Sequence, residues 1–167
     1  RLMADLFLAA GADRLMTVDL HTAQIQGFFD GPVDHLLAMP ILTRYVRKNY
    51  GKKPLAVVSP DAGRIKVAEQ WARQFDNAPL AFIHKTRDVT KANVSKANRV
   101  VGEVEGRTCI LVDDLIDTGG TICQAAEALM NDGAAEVIIV STHAVFSGEA
   151  VNRLKDSVAT EVIVTNT

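Results

Sequence analysis

One run of residues stands out for its chemistry: Cys109-Ile-Leu-Val-Asp113-Asp114-Leu-Ile-Asp117-Thr118-Gly119-Gly120-Thr121. It reads as an apolar strand, an acidic pair, a glycine-rich turn and the start of a helix. In such a turn the backbone N–H groups and the positive end of the following helix converge on one point and make a phosphate cradle, to which Thr118 and Thr121 add hydroxyl donors. Asp113 and Asp114 need another explanation. Adjacent carboxylates repel one another, so a pair at a strand end is tolerated best where sugar hydroxyls or a cation satisfy it. A helix N-cap beside a glycine turn needs only an Asp or a Thr. Two extra carboxylates and two adjacent glycines exceed that need and favour ligand binding. The run contains neither G-x-x-x-x-G-K-[ST] nor G-x-G-x-x-G, and its acids lack the alternate spacing and terminal Glu of a calcium loop.

Polar residues gather at four other places where strand-like runs end, one of them Ser141 to His143. Asp19 and His21, with Asp30 and Asp34 shortly after, form an acid and imidazole cluster suited to a hard divalent cation carrying polyphosphate. A satisfied strand-end histidine, with Asp34 capping the next helix, accounts for the same residues. Ser59-Pro60-Asp61-Ala62-Gly63 ends another strand and opens another helix, with Asp61 placed to hold a metal beside phosphates. An ordinary Pro-Asp turn is the alternative there. Lys85 and Arg87 head a polar stretch running to Arg99, in which Lys91, Lys96 and Arg99 read as solvated charge. Connections longer than about 12 residues are usually functional lids or disordered. His35, Trp71 and Cys123 read as helix-surface or core residues, and His84 and His143 as strand-end residues.

Strand-length apolar runs alternate with longer segments of helical period, the pattern of a parallel sheet covered by helices. The periodicity predicts helices over Leu2–Ala10, Val33–Tyr50, Gly63–Gln74, Thr121–Asp132 and Ser147–Lys155. Strands are expected over Arg14–Asp19, Leu55–Ser59, Leu80–His84, Val100–Val104, Thr108–Asp113, Glu136–Ser141 and Glu161–Thr165. Most of these are apolar and β-branched on successive residues, as strands covered on both faces should be. The polar clusters fall at the carboxyl ends of these strands, where an open α/β sheet forms its ligand crevice.

The 167 residues include 18 Lys+Arg and 20 Asp+Glu, for a formal charge of -2, with 48% hydrophobic and 23% charged. This excludes a disordered, collagenous or coiled-coil chain. So balanced a charge gives no global field for nucleic acid or an anionic membrane, and any anion must be held by a local cluster. The longest apolar stretches, such as Val137 to Val140, fall far short of the ~20 residues a spanning helix needs. Cys109 and Cys123 show no paired spacing, and a reducing cytoplasm fits them best. A composition shift near residues 27–33 places a boundary between a truncated first unit and a fuller second one. The sequence starts inside an amphipathic pattern and stops just after a strand-like run, so it is expected to be a piece of a longer chain.

The segment Asp113-Asp114-Leu-Ile-Asp117-Thr118-Gly119-Gly120-Thr121 resembles the phosphoribosyl-binding loop shared by phosphoribosyltransferases and ribose-phosphate pyrophosphokinases. Val18-Asp19-Leu20-His21 with Gln24 to Asp30, Ser59-Pro-Asp61-Ala-Gly63, Ile83-His84-Lys85-Thr-Arg87, Phe146-Ser-Gly148 and Val164-Thr-Asn-Thr167 resemble the pyrophosphokinase family, in the right order along essentially the whole sequence. The resemblance implies an α/β fold of type I phosphoribosyltransferase type, a mainly parallel sheet flanked by helices. Residues 1–30 would end a first domain and residues 31–167 would form most of a second, similar one. It implies an enzyme of nucleotide biosynthesis that moves a pyrophosphoryl group from magnesium-ATP to O1 of ribose 5-phosphate, releasing AMP. Asp117, Thr118, Gly119, Gly120 and Thr121 would hold the 5-phosphate, with Arg87 also on the sugar-phosphate side. Asp113 and Asp114 would hold the ribose hydroxyls. Asp61, Ala62 and Gly63 would meet the pyrophosphate and His21 the magnesium-ATP. Mg2+ would rest on His21 and Asp61, with Asp19, Asp30 and Asp34 as weaker candidates, and Lys85 and Arg87 would be catalytic.

A cytoplasmic homohexamer, with neither nucleic acid nor membrane as partner, is also implied. Many family members carry a second glycine where this chain has Arg64, a departure that bears on how closely the backbone there approaches pyrophosphate. A phosphoribosyltransferase acting on a nucleobase would need the Asp113 to Thr121 loop but not His21, Asp61 and Lys85-x-Arg87. A catalytically silent regulatory relative would have no reason to keep Lys85, Arg87 and Asp113.

Overall fold

The computed structural model describes residues 1–86 and 97–167, and the chain divides into two compact units, Arg1–Pro40 and Ile41–Thr167. In the first unit, helix α1 (Leu2–Ala9) leads through Gly11 to strand β1 (Leu15–Val18), a 3-10 segment (Ala23–Phe28) and strand β2 (Val33–Leu36). The two strands are parallel, with Leu15 opposite Val33 and Val18 opposite Leu36. This corrects the expected helix from Val33 to Tyr50: helix α2 begins only at Met39 and runs to Tyr50. Val33 to Leu36 instead pairs with β1, a long-range partner that local periodicity does not register, and Pro40 sits in the first turn of α2, where its missing N–H costs nothing. The division of the chain accordingly falls after Pro40, beyond the composition shift near residues 27–33.

The second unit holds β3 (Leu55–Ser59), a 3-10 turn (Ala62–Arg64), α3 (Ile65–Arg73), β4 (Leu80–Thr86), β5 (Ala97–Val101), β6 (Thr108–Ile116), α4 (Gly120–Asn131), β7 (Glu136–Ala144), α5 (Ala150–Lys155) and β8 (Glu161–Val164). They form a six-stranded sheet in the order β5-β4-β3-β6-β7-β8. All neighbours are parallel except the β4–β5 pair. The expected strand at Val100–Val104 lies three residues earlier and runs antiparallel at the sheet edge. Only ten residues separate β4 from β5, fewer than the dozen or more that a parallel crossover needs. Gly102 ends β5 at φ +122°, where a Cβ would stand 2.6 Å from the Leu80 carbonyl oxygen. Arg99 belongs to β5, opposite His84, whereas Arg87 and Lys91 lie outside the described residues, as does Lys96.

Alternate residues of four central strands, Ala56 and Val58, Ala81 and Ile83, Cys109 and Leu111, Val137 and Ile139, pack with Ile122, Cys123, Ala126 and Leu129 of α4 into one apolar cluster. Their sequence neighbours Val57, Ile110, Ile138 and Val140 are fully buried as well, so the sheet is covered on both faces. Trp71 and Cys123 are core residues. Burial pushes the Cys109 thiol up to about 12, leaving it inert. No helix among the described residues is long and apolar enough to cross a membrane.

Strand order decides where a ligand can sit. From β3 the chain moves one way, through α3 to β4 and β5, then returns to the other side of β3 as β6. The loops after β3 and β6 therefore leave in opposite directions from neighbouring carboxyl ends, and such a switch point opens a crevice between them.

Candidate functional site

The loop after β6 is built to leave backbone donors exposed. Gly119 sits at φ +75°, a left-handed conformation that costs an L-residue with a side chain roughly 1–2 kcal/mol, and its carbonyl accepts the first helical bond from Cys123 N–H at 3.1 Å. The N–H groups of Gly120, Thr121 and Ile122 head α4 and have no acceptor within the helix. A Cβ on Gly120 would meet nothing closer than an Arg153 Nη1 at 3.7 Å and the Thr118 Oγ1 at 4.0 Å. That open space beside convergent donors is a cradle for a phosphate-sized anion. The Phe146 N–H donates to the Ile116 carbonyl at 3.0 Å and the Ser147 N–H to the Asp117 carbonyl at 3.1 Å, so the Phe146-Ser147-Gly148 motif braces this loop from behind. Thr165 does the same for the end of β7, its hydroxyl donating to the Thr142 carbonyl at 2.6 Å.

At the carboxyl end of β6 the acidic pair is mostly enclosed, with the Asp113 side chain 19% and the Asp114 side chain 4% exposed. The Asp114 N–H donates to Asp113 Oδ1 at 2.9 Å. Arg64, from the turn after β3, reaches both carboxylates: Nε lies 3.5 Å from Asp113 Oδ1 and Nη1 3.3 Å from Asp114 Oδ2. Even so, burial and the neighbouring Asp114 carboxyl push Asp113 up to about 7, against the opposing pull of Arg64.

The loop after β3 satisfies itself. Asp61 caps the 3-10 turn, its Oδ1 accepting from the Gly63 N–H at 2.8 Å, while the buried Ser59 hydroxyl donates to the Asp61 carbonyl at 2.6 Å. The two loops together present one carboxylate, an acidic pair, a guanidinium and the first N–H groups of α4.

The phosphoribosyl transferase domain family matches residues 36–166. The chain belongs to that family. Among similar proteins of the wider superfamily, the ribose-phosphate pyrophosphokinase of Mycobacterium leprae is 59% identical over 167 residues, covering all of this chain and 51% of the relative. That of Bifidobacterium longum is 60% identical over 169 residues, covering all of this chain and 50% of the relative. The crystal structure of phosphoribosylpyrophosphate synthetase from Mycobacterium smegmatis superposes with a TM-score of 0.92 at 57% identity, over 99% of this chain and 52% of that one. The chain thus spans about half the length of the relatives it matches. The fold is the type I phosphoribosyltransferase α/β fold, as the sequence implies.

Within this phosphoribosyl transferase domain, Asp61, Ala62 and Gly63 stand on the β3 loop, and Asp113, Asp114, Asp117, Thr118, Gly119, Gly120 and Thr121 on β6 and its loop. Lys85 falls in β4, opposite Asn98 of β5, and Arg87 lies outside the described residues. In the first unit His21 is exposed after β1. Asp19 adopts φ +41° and accepts from the Ala38 N–H at 2.9 Å, a bond that organises the chain after β2. Asp30 pairs with Arg1 at 2.6 Å, which holds its carboxyl below the ordinary value. Asp34 lies on β2, 3.4 Å from Arg14, and caps no helix. His35, read above as a helix-surface or core residue, is likewise on β2, and its Nε2 accepts from the Leu20 N–H at 3.0 Å. Among the described residues no group of three or more His, Cys, Asp or Glu side chains could hold a metal. One carboxylate at Asp61 still fits a magnesium ion that arrives on polyphosphate, since Mg2+ keeps most of its ligands from water and substrate.

Two arginines complete the site beyond the sequence reading. Arg64, noted above only as a departure from the glycine pattern, meets the acidic pair. Arg153, within a helix that carried no site residue in the sequence, donates from its guanidinium to the Thr118 carbonyl and so holds the cradle loop. No local pattern marks Arg153; only the return of α5 toward α4 brings it there.

Proposed function

We propose that this chain is the sugar-phosphate-binding half of a ribose-phosphate pyrophosphokinase, transferring pyrophosphate from magnesium-ATP to ribose 5-phosphate. The observation that carries the reading is the pairing, at one switch point, of a glycine cradle with a buried acidic pair. The cradle suits a terminal phosphate, and the pair suits the vicinal hydroxyls of a sugar. The name the relatives share supports this choice of activity.

In this reading the N–H groups of residues 118–121 hold the 5-phosphate, while Asp113 and Asp114 accept from ribose hydroxyls and fix the ring. O1 of the sugar attacks the β-phosphorus of ATP, the bond to the α,β-bridging oxygen breaks, AMP leaves with that oxygen, and the O1 proton passes to solvent. Such transfers depend on positioning and charge neutralisation more than on covalent chemistry from the protein. Lys85 and Arg87 supply positive charge to the moving group, and Asp61 and His21 meet the magnesium-ATP. Mg2+, when bound with ATP, neutralises the polyphosphate. The hexameric, cytoplasmic state belongs to the same proposal.

The test is product analysis on the protein at its relatives' full length. ATP with ribose 5-phosphate should yield AMP and 5-phosphoribosyl 1-diphosphate. Release of pyrophosphate from that diphosphate with a nucleobase, and no AMP from ATP, would assign a nucleobase phosphoribosyltransferase instead. Lys85→Ala should lower kcat by about 10²–10³, and a near-normal kcat would remove Lys85 from the mechanism.

A further inference from the structure

Arg64 departs from the glycine pattern of its loop, and its side chain is nevertheless committed: 15% exposed, it spans from the β3 loop to both carboxylates at the end of β6. A purely structural tie has little reason to take this form. Burying two adjacent carboxylates and a guanidinium costs desolvation that packed apolar side chains would avoid, so an enclosed cluster of this kind is weak as a stabilising device. It makes sense where the acids must be kept in place for something else. The two carboxylates are adjacent near the end of β6, Asp113 Oδ1 accepting from the Asp114 N–H, and the planar guanidinium sets a different nitrogen against each, Nε beside Asp113 and Nη1 beside Asp114.

We propose that Arg64 is a positioning residue for the sugar: its guanidinium balances the charge of Asp113 and Asp114 and orients both toward the ribose hydroxyls, tying the pyrophosphate loop to the sugar loop. The inference rests on the assignment of the acidic pair to ribose given above. Arg64 acts through the carboxylates, so its effect belongs to the hydroxyl end of the ligand and leaves the phosphate end alone.

Calorimetry on the 167-residue chain with ribose 5-phosphate, 2-deoxyribose 5-phosphate and inorganic phosphate tests this. The wild type should prefer the ribose compound over the deoxyribose one. Arg64→Gln should weaken ribose 5-phosphate binding by about 10- to 100-fold, narrow the ribose-to-deoxyribose ratio and leave inorganic phosphate unchanged. Arg64→Lys, which keeps the charge but not the fork, should fall between the two and preserves the test if the Gln variant melts early. Unchanged ribose 5-phosphate affinity in a folded Arg64→Gln, or an equal loss for inorganic phosphate, would overturn the role of Arg64. A wild type that binds no ribose 5-phosphate would instead overturn the assignment of the acidic pair.

Discussion

The loops after β3 and β6 start from neighbouring parallel strands, end in helices and carry an aspartate and glycines, yet they spend those residues differently. After β3 the acid is consumed locally: Asp61 caps its own turn through Gly63 N–H, and the helix proper waits until Ile65. After β6 the turn is completed by a left-handed glycine, the helix begins at once with Gly120, and no side chain caps its first N–H groups. The carboxylates there sit on the strand, held by an arginine sent across from the other loop. Similar residue types thus make a self-satisfied turn in one case and an uncapped helix start in the other. What separates them is that a side chain caps the 3-10 turn that precedes α3, whereas α4 follows its loop directly with no capping side chain.

Gly120→Val should break the comparison most sharply. Its Cβ has room in the folded chain, so melting should change little, while ribose 5-phosphate affinity should fall by about 100-fold through loss of charge-assisted bonds to phosphate. Gly63→Val places a Cβ 3.2 Å from Asp61 Oδ1 and should leave ribose 5-phosphate binding within about twofold of wild type. Equal losses in the two variants, read by calorimetry, would erase the distinction between the loops.

Next in size is the acidic pair. The folded chain holds the Asp113 proton to about pH 7, whereas an unfolded chain releases it near 3.8. Between those values the unfolded state has fewer protons bound, so this carboxyl makes the fold less stable as pH rises. Asp113→Asn removes the dependence. The variant's stability relative to wild type should therefore grow by on the order of 1 kcal/mol per pH unit between about pH 4 and 7 and level off above. Thermal melts across that range check it, and a constant gap would mean that Arg64 keeps both acids ionised throughout.

Gly119→Ala forces a side chain into the left-handed region at φ +75° and should cost about 1–2 kcal/mol, a fall in Tm of roughly 2–8 °C. The smallest effect belongs to Arg153→Ala. Loss of its exposed bond to the Thr118 carbonyl should loosen the cradle and weaken ribose 5-phosphate by about two- to fivefold, with Tm nearly unchanged.

The sequence alone determined the central strands, whose apolar β-branched runs leave few other conformations, and the glycine-rich turn that leads from β6 into a helix. Leu55–Ser59 is a strand from end to end as read, and the helix expected from Thr121 opens one residue earlier, at Gly120. Both are local properties of a few adjacent residues. Tertiary structure decided the rest. Val33–Leu36 joins β1 instead of α2, β5 runs antiparallel on the edge, and β3 and β6 become neighbours around a switch point. Arg64 meets Asp113 and Asp114 across 49 and 50 positions of sequence, and Arg153 meets Thr118 across 35. Each of these depends on which chain segments the closing of loops brings side by side, a choice made by burial of whole strand and helix faces, and no spacing within a single element encodes it.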